Sequence, residues 1–271
     1  MNPQATWHLL STRPDALNAP LSHAVSSAGG SLIPLESMDI ETRLTDDTVT
    51  RLLSALRESV VVFTSPTAVN VAAEVLDLPG ALNRRVVVAT GAGTQKTLVN
   101  RGVRQARAPD RMDSEGMLGM PVLTDVDGVG IGLVTGEGGR GMLQPRLIAR
   151  GARVTRADIY ARVPRTISAA EWDRVCAAEG MRILAITSAE AFEALLPQIP
   201  EAADFAQWRF VVGSQRLMES ASPAPFGGTL SIKDGEGQLS LLHAVEKGFC
   251  AVARSPMPED LVHAALALLE T

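Results

Sequence analysis

Three observations predict an α/β protein made of two similar lobes, each built on a parallel sheet. Apolar runs that end in a small polar tip alternate with amphipathic stretches, which is the pattern of strands leading into helices. Three such strand–tip–helix pieces occur twice along the chain, at offsets of 123, 123 and 122 residues. The chain has 271 residues, 46% of them hydrophobic, which is enough for two medium-sized domains.

The repeated pieces share an apolar run and a tip of Thr, Ser or Gly. Residues 10–14 return as 133–137, residues 62–69 as 185–192, and residues 88–92 as 210–214. A small polar tip at the start of a helix leaves backbone N–H groups and hydroxyls free to bind a ligand. Two similar sets of tips therefore predict two similar lobes that face one ligand.

In the first half, Pro14 in the first turn and Gly29-Gly30 at the end predict a first helix over residues 14–28. Gly102 ends a later helix in the same way. The predicted elements are strands at 7–10, 31–35, 60–64 and 85–89, and helices at 14–28, 47–57, 67–76, a helix ending at 100, and 113–118.

The second half repeats this alternation, with Gly151 ending its first helix. The predicted elements are strands at 130–135, 153–160, 182–187 and 209–212, and helices at 141–150, 169–179, 190–196 and from 214. The repeat then breaks, because the best match to Gly102-Val103 is Gly248-Phe249, 146 residues later. This shift of 24 residues from the offset of 122 predicts an insertion around residues 222–240, whose Pro and Gly residues are typical of a surface loop or hairpin without chemistry.

Composition narrows the classes of function. A net charge of −5 and 4% aromatic residues are not typical of a nucleic-acid-binding surface. The longest apolar runs are strand-length and the N-terminus lacks a signal-peptide pattern, so we expect a cytoplasmic protein with no membrane span. Cys176 and Cys250 lie far apart and the four histidines form no ligand pattern, so we expect ordinary thiols and no metal site.

Several motifs could bind a ligand or take part in catalysis. Residues 91–97 fail as a phosphate-binding loop because Gln95 precedes Lys96, and no dinucleotide-binding fingerprint follows the first strand. Residues 136–140 read either as a glycine loop that approaches a ligand with Arg140 at its end, or as a tight turn with a solvated arginine. Tyr160, the only tyrosine, ends a strand and serves either packing or hydrogen bonding. No hydrolase constellation stands out.

The order of the motifs resembles the uroporphyrinogen-III synthase family. The matching segments are Thr12-Arg13-Pro14, residues 64–69, 91–94, 136–140, 150–154 and 160–162, Thr187-Ser188, and residues 214–216. Two departures are visible: Gln215 stands where many bacterial members carry Glu, and the insertion follows Ala221.

The resemblance implies two α/β lobes joined by a two-stranded linker, with a discontinuous first lobe. We expect residues 1–34 plus 164–271 to form the first lobe and residues 35–163 the second. The extended segments 35–41 and 156–163 occupy equivalent places in the two repeats, which makes them natural linkers.

The resemblance also implies a cofactor-free lyase. The substrate is hydroxymethylbilane, a linear tetrapyrrole with carboxylate side chains, and the product is uroporphyrinogen III, formed by dehydration and ring closure with inversion of the terminal ring. Tyr160 is the expected catalytic residue, assisting departure of the hydroxyl. The expected substrate-binding residues are Arg13, Thr64, Ser65, Thr94, Gly138, Arg140, Thr187, Ser188 and Ser214.

The expected partners are this small molecule and, transiently, hydroxymethylbilane synthase; the chain is expected to be a monomer that binds neither nucleic acid nor membrane. Two alternatives stay open. One is a non-catalytic, two-lobed small-molecule binding protein, and the other is an inactive regulatory paralogue of the synthase.

Overall fold

The structure, a computed structural model, describes residues 7–111, 114–138, 142–204, 208–220, 231–234, 237–240 and 248–270. The chain divides into two compact units. Lobe 1 comprises Met1–Asp39 and Pro164–Thr271, and lobe 2 comprises Ile40–Val163.

Strands alternate with helices along most of the chain. The strands are β1 (Trp7–Ser11), β2 (Ser31–Pro34), β3 (Met38–Thr42), β4 (Val60–Phe63), β5 (Val86–Ala89), β6 (Gly130–Gly136), β7 (Arg153–Pro164), β8 (Met181–Ile186), β9 (Arg209–Val212), β10 (Ser231–Asp234), β11 (Gly237–Ser240) and β12 (Cys250–Val252).

The α-helices lie between the strands, as the alternating pattern predicts. They are α1 (Asn18–Ser27), α2 (Asp46–Leu56), α3 (Pro66–Val75), α4 (Leu78–Ala81), α5 (Ala92–Asn100), α6 (Ser114–Leu118), α7 (Pro121–Thr124), α8 (Leu143–Ala149), α9 (Ala169–Cys176), α10 (Ala189–Leu195), α11 (Gln215–Ser220) and α12 (Pro258–Ala267).

Lobe 1 is built on a parallel sheet with the strand order β12-β9-β8-β1-β2. Successive residues of a strand point to opposite faces, so a strand buried on both sides reads as a continuous apolar run. Leu10 and Leu184 accordingly belong to one core cluster, whereas Leu9 and Ile183 belong to another. The sheet therefore has a hydrophobic core on each face.

Lobe 2 has the strand order β3-β7-β6-β4-β5. The pairs among β4, β5, β6 and β7 are parallel. Val61 and Phe63 pack into one core cluster and Val60 and Val62 into the other, so this sheet is also covered on both faces. Beyond β5, Arg107 continues the sheet through a parallel bridge to Val88.

The two sheets repeat one strand order. β6, β4 and β5 of lobe 2 occupy the places that β1, β8 and β9 hold in lobe 1. The pairing Val134↔Ala157 in lobe 2 matches Ser11↔Pro34 in lobe 1, with both partners offset by 123 residues. The predicted fold class, two similar α/β lobes with parallel sheets and a discontinuous first lobe, is confirmed.

Neighbouring strands β3 and β7 carry the chain between the lobes. Arg43 N donates to Ile159 O and Arg165 N donates to Ser37 O, each at 2.9 Å, so the two strands run antiparallel. Arg165 also donates to Glu36 O at 2.8 Å and to Glu171 Oε1 at 2.9 Å. The expected linker segments 35–41 and 156–163 overlap these two strands. The lobes divide between residues 39 and 40 and between residues 163 and 164, whereas the expected divisions were between 34 and 35 and between 163 and 164.

Some elements differ from the sequence prediction. The helix predicted over 14–28 is a 3₁₀ turn, Asp15–Leu17, followed by α1. The reason is Pro20, which is tolerated in the first turn of an α-helix but not in its interior. Helices α4 and α7 were not predicted, because single turns of four residues carry no helical periodicity.

The predicted insertion at 222–240 falls partly outside the described residues. Within it, β10 and β11 pair antiparallel, from Ser231↔Ser240 to Asp234↔Gly237. The described part is therefore a hairpin, one of the two forms that its turn residues indicated.

Candidate active site

In a parallel sheet the carboxyl ends of the strands meet at one edge, where ligands commonly bind. In lobe 2 that edge carries Thr64 and Ser65 after β4 and Thr135 and Gly136 at the end of β6. Tyr160 lies in β7 directly opposite Gly136. Lobe 1 has an edge of the same kind.

A bulge sets the direction of Tyr160. Residue Thr135 pairs with Asp158, but the next residue, Gly136, pairs with Tyr160, so Ile159 is the extra residue on β7. A bulge of this kind re-aims the side chain that follows it. Glu137 N then donates to Tyr160 O at 2.8 Å, which holds the backbone after the bulge.

The hydroxyl of Tyr160 lies 2.9 Å from Ser65 Oγ. Ser65 is the N-cap of α3, and its Oγ accepts from Ala68 N at 3.0 Å. Since the serine oxygen already accepts this backbone bond, its own hydrogen is available for donation to Tyr160 or to a ligand. Tyr160 is only 6% exposed, so its ring is held within the protein at this edge.

The ring of Tyr160 lies against the backbone of Gly136. A Cβ atom at Gly136 would stand 2.5 Å from Cζ and 2.6 Å from Cε2 of that ring. One of the two interpretations of residues 136–140 was that their glycines allow a ligand to approach the backbone closely. At Gly136 the neighbour that approaches is instead Tyr160.

Threonine hydroxyls link the neighbouring strand ends. Thr64 Oγ1 donates to Thr135 Oγ1 at 2.7 Å, and Thr90 Oγ1 donates to Thr64 O at 2.8 Å. Thr135 is buried and Thr64 half-buried. Thr90 and Thr135 were not predicted as site residues. Each directly follows an apolar run, and this position at the end of a predicted strand could have identified them.

An ion pair borders the site. Arg156 Nη2 and Nε donate to the carboxylate of Asp158 at 2.7 and 2.9 Å, and Nη2 also lies 3.4 Å from Gly136 O. Hydrogen bonding to Asp158 raises the pKa of Arg156. The pair therefore fixes a charged side chain beside the Gly136 carbonyl. Neither Arg156 nor Asp158 was predicted as a site residue.

The other predicted residues of lobe 2 are spread more widely. Gly138 is exposed, with a φ of +69° that favours glycine. Thr94 lies in the first turn of α5 and is only 4% exposed, so its side chain offers little surface to a ligand. Arg140 lies outside the described residues.

In lobe 1 the predicted residues lie at the carboxyl ends of β1, β8 and β9. Ser188 caps α10, with its Oγ accepting from Ala191 N at 3.4 Å, and Ser214 Oγ accepts from Leu217 N at 3.2 Å. Thr187 precedes Ser188 and is half-buried. The serine tips thus use their oxygens to cap helices, whereas the sequence analysis expected them to be free for a ligand.

Arg13 is tied to its own lobe. Its Nη2 donates to Pro256 O at 2.7 Å, and burial lowers the pKa of the guanidinium. Beside it, Ser11 Oγ donates to Asn18 Oδ1 at 2.8 Å. Within the described residues, Thr12 Oγ1 and Asn18 Nδ2 are buried without a hydrogen-bond partner. Thr12 is the counterpart of Thr135 in the repeat, and neither Thr12 nor Asn18 was predicted as a site residue.

The part of the chain that the structure describes shows neither a cluster of metal ligands nor a helix that could span a membrane. Over the described ranges, no three or more His, Cys, Asp or Glu side chains group as metal ligands would. Over the same ranges, every helix is too short or too polar to span a membrane.

Solved structures share this architecture. A uroporphyrinogen-III synthetase from Helicobacter pylori matches 96% of this chain and 99% of its own, with a TM-score of 0.61 at 15% identity. A uroporphyrinogen III synthase from Thermus thermophilus matches 97% of this chain and 98% of its own, with a TM-score of 0.57 at 16% identity. At these identities the likeness shows a common fold.

Sequence comparison goes further. The uroporphyrinogen-III synthase of Salmonella typhimurium is 29% identical over 140 residues, an alignment that spans 51% of this chain and 56% of that enzyme. The family model described as uroporphyrinogen-III synthase HemD matches residues 19–226, well over half of the chain. The chain therefore belongs to the uroporphyrinogen-III synthase family.

Proposed function

We propose that this chain is an active uroporphyrinogen-III synthase, which converts hydroxymethylbilane into uroporphyrinogen III. The reaction breaks the C–O bond of the terminal hydroxymethyl group and closes the ring by a new C–C bond. To invert the last pyrrole, the C–C bond that joins it to its neighbour is broken and re-formed at the other α-carbon of that ring, and the proton displaced there leaves with the hydroxide as water. Family membership supports the activity. The single structural observation that carries it is the phenol of Tyr160, held at the carboxyl edge of lobe 2 by Ser65 and Gly136.

We infer that Tyr160 assists the departing hydroxyl. The electron-rich pyrroles expel the hydroxyl themselves, so the protein has only to donate a hydrogen bond or a proton at the leaving oxygen. A phenol can do so while it remains neutral, and Ser65 holds it by a bond that either hydroxyl can donate. General-acid assistance of this kind contributes about 10²–10⁴-fold in favourable cases.

Ring closure is a problem of orientation, since the protein must bring one particular carbon of a flexible chain to the reacting centre. Holding the reacting groups in place accounts for about 7–11 kcal/mol of a barrier in well-oriented reactions. The substrate's carboxylates suit the helix starts at Ser65, Ser188 and Ser214, where backbone N–H groups and the positive end of the helix dipole favour anions. Arg140, Thr64, Gly138 and Thr187 complete the proposed binding set. The resemblance adds Arg13 and Thr94, although Arg13 is bonded to Pro256 O and the Thr94 side chain is buried.

We also propose that the chain works as a cytoplasmic monomer without a cofactor, in transient contact with hydroxymethylbilane synthase. The contact would suit a substrate that cyclises unaided. The proposed contact with hydroxymethylbilane synthase rests on the chemistry of the substrate alone.

The decisive experiment is incubation of purified, chelator-treated protein with freshly prepared hydroxymethylbilane. The I and III isomers of the product are then separated by chromatography after oxidation. We expect the III isomer to dominate, and treatment with chelator to leave the rate unchanged. Formation of the I isomer alone, at the rate without protein, would refute the proposal and favour the inactive paralogue.

A further inference from the structure

We propose that Gly136 is a positioning residue for Tyr160. Its bare Cα forms the surface on which the tyrosine ring lies, and that position of the ring brings the hydroxyl to Ser65. The inference rests on the proposed function, because it matters for turnover only if Tyr160 takes part in the reaction.

The distances leave no room for a side chain. A Cβ at Gly136 would approach Cζ, Cε2 and Cε1 of Tyr160 to 2.5, 2.6 and 2.9 Å. Ordinary carbon contacts are about 3.5–4.0 Å, so the ring would have to withdraw by about 1 Å. The bond from the Tyr160 hydroxyl to Ser65 is 2.9 Å long, so a displacement of about 1 Å directed away from Ser65 would take the two oxygens beyond hydrogen-bonding distance.

The backbone does not itself demand glycine at this place. Gly136 is absent from the residues with positive φ, unlike Gly138 at +69°. Its counterpart in the repeat, 123 residues earlier, is Arg13, and the counterpart of Tyr160 is Ser37. Lobe 1 therefore carries a large residue at the equivalent position, two residues beyond the end of β1, and a serine in place of the tyrosine.

Burial and the bulge leave the ring little freedom to adapt. Tyr160 is 6% exposed and belongs to a core cluster with Ile159 and Ala157. Its carbonyl is fixed by Glu137 N at 2.8 Å. The ring is thus held from the backbone side by β7, at its hydroxyl by Ser65, and on its face by Gly136.

The test compares Gly136→Ala, Tyr160→Phe and the double variant. We expect Gly136→Ala to lower kcat by about 10- to 10²-fold, with KM changed by less than about twofold. In the Tyr160→Phe background the same alanine should change kcat by less than about twofold, because the hydroxyl it misplaces is already gone. Unchanged kcat in the single variant, or an equal loss in both backgrounds, would overturn the proposal.

A second measurement needs no activity. Tyr160 is the only tyrosine in the chain, so protein labelled with fluorotyrosine gives one fluorine resonance. Gly136→Ala should move this resonance. Asp77→Ala, which removes the N-cap bond to Gly80 N in the same lobe, should destabilise the fold and leave the resonance in place. An unmoved resonance in folded Gly136→Ala would contradict the assignment.

Thermal unfolding tests the proposal even if the Gly136→Ala variant folds poorly. Combining it with Tyr160→Ser reproduces the small residue that lobe 1 has at Ser37, and the midpoint should return to that of Tyr160→Ser alone. A midpoint that stays low would show that the alanine clashes elsewhere and would refute the proposal. If the wild-type protein makes no III isomer, the proposed function fails, while the resonance and the thermal rescue still decide whether Gly136 sets the ring.

Discussion

Replacing Tyr160 by Phe separates chemistry from packing at the site. The change removes one hydroxyl and keeps the ring that lies on Gly136. Ser65 loses its contact at 2.9 Å but still accepts from Ala68 N, so the cap of α3 survives. The backbone bond from Glu137 N to Tyr160 O is also unaffected. We therefore expect a folded protein with an altered active site.

The two expected effects differ in size. A hydrogen bond between neutral side chains contributes about 0.5–1.5 kcal/mol to stability, so the free energy of unfolding should fall by about 1 kcal/mol. If the phenol assists departure of the hydroxyl, its loss acts on the transition state and appears in kcat more than in KM. We expect a loss at or below the low end of about 10²–10⁴-fold, because the pyrrole drives the departure and water partly substitutes for the phenol.

The assay is steady-state turnover of hydroxymethylbilane, with both product isomers quantified and thermal unfolding measured on the same preparations. A lower kcat with the III isomer still formed would support the role given to Tyr160. Wild-type kcat together with a lower unfolding temperature would refute it. Catalysis would then have to be explained by binding geometry alone.

Two further predictions concern stability and reactivity. Hydrogen bonds from Arg165 and Ser168 hold the pKa of Glu171 at about 2, below its ordinary 4.5. The stabilisation is therefore complete above the ordinary pKa and is lost as the pH falls toward 2. Between about pH 5 and pH 3, wild type should lose more free energy of unfolding than Glu171→Gln in urea denaturation, by about 1 kcal/mol once solvent screening of the ion pair is allowed for. Equal losses would contradict this. Burial raises the pKa of Cys250 to about 12. In the native protein, an alkylating reagent should therefore modify the half-buried Cys176 before Cys250, as measured by mass spectrometry of the peptides. Equal rates of modification would contradict the burial of Cys250.

The fold could be predicted from the sequence because its signals are local and repeated. Each strand of the two parallel sheets is an apolar run followed by a polar tip, and the offset of 123 residues identifies which strands correspond. Two kinds of element were missed. The strand β12 and the helix α12 follow the insertion, where the repeat breaks, and the other misses depend on single residues. Pro20 moved the start of α1, and the one-turn helices α4 and α7 are too short to show a period.

The site was only partly predictable for a related reason. Tyr160 and Ser65 were both predicted from the sequence, and the structure shows that their hydroxyls meet. The bulge at Ile159 and the contact between Gly136 and the tyrosine ring depend on pairing across strands, which the order of residues along the chain does not reveal. The hydrogen bonds by which Ser188 and Ser214 cap their helices are likewise visible only in the structure.

The repeat supplies a physical reason to assign Tyr160 to function rather than to folding. In lobe 1 the equivalent residue is Ser37, whose buried hydroxyl donates to Ala191 O at 2.6 Å in the first turn of α10. In lobe 2 Tyr160 reaches Ser65, the cap of the equivalent helix α3. In both lobes this position is thus hydrogen-bonded to the start of the equivalent helix, and a serine is sufficient for such a bond in lobe 1. Because a serine makes the equivalent bond in lobe 1, the bulge and the close contact with Gly136 in lobe 2 support the proposal that the phenol acts in the reaction. The phenol hydroxyl is the group that Tyr160→Phe removes.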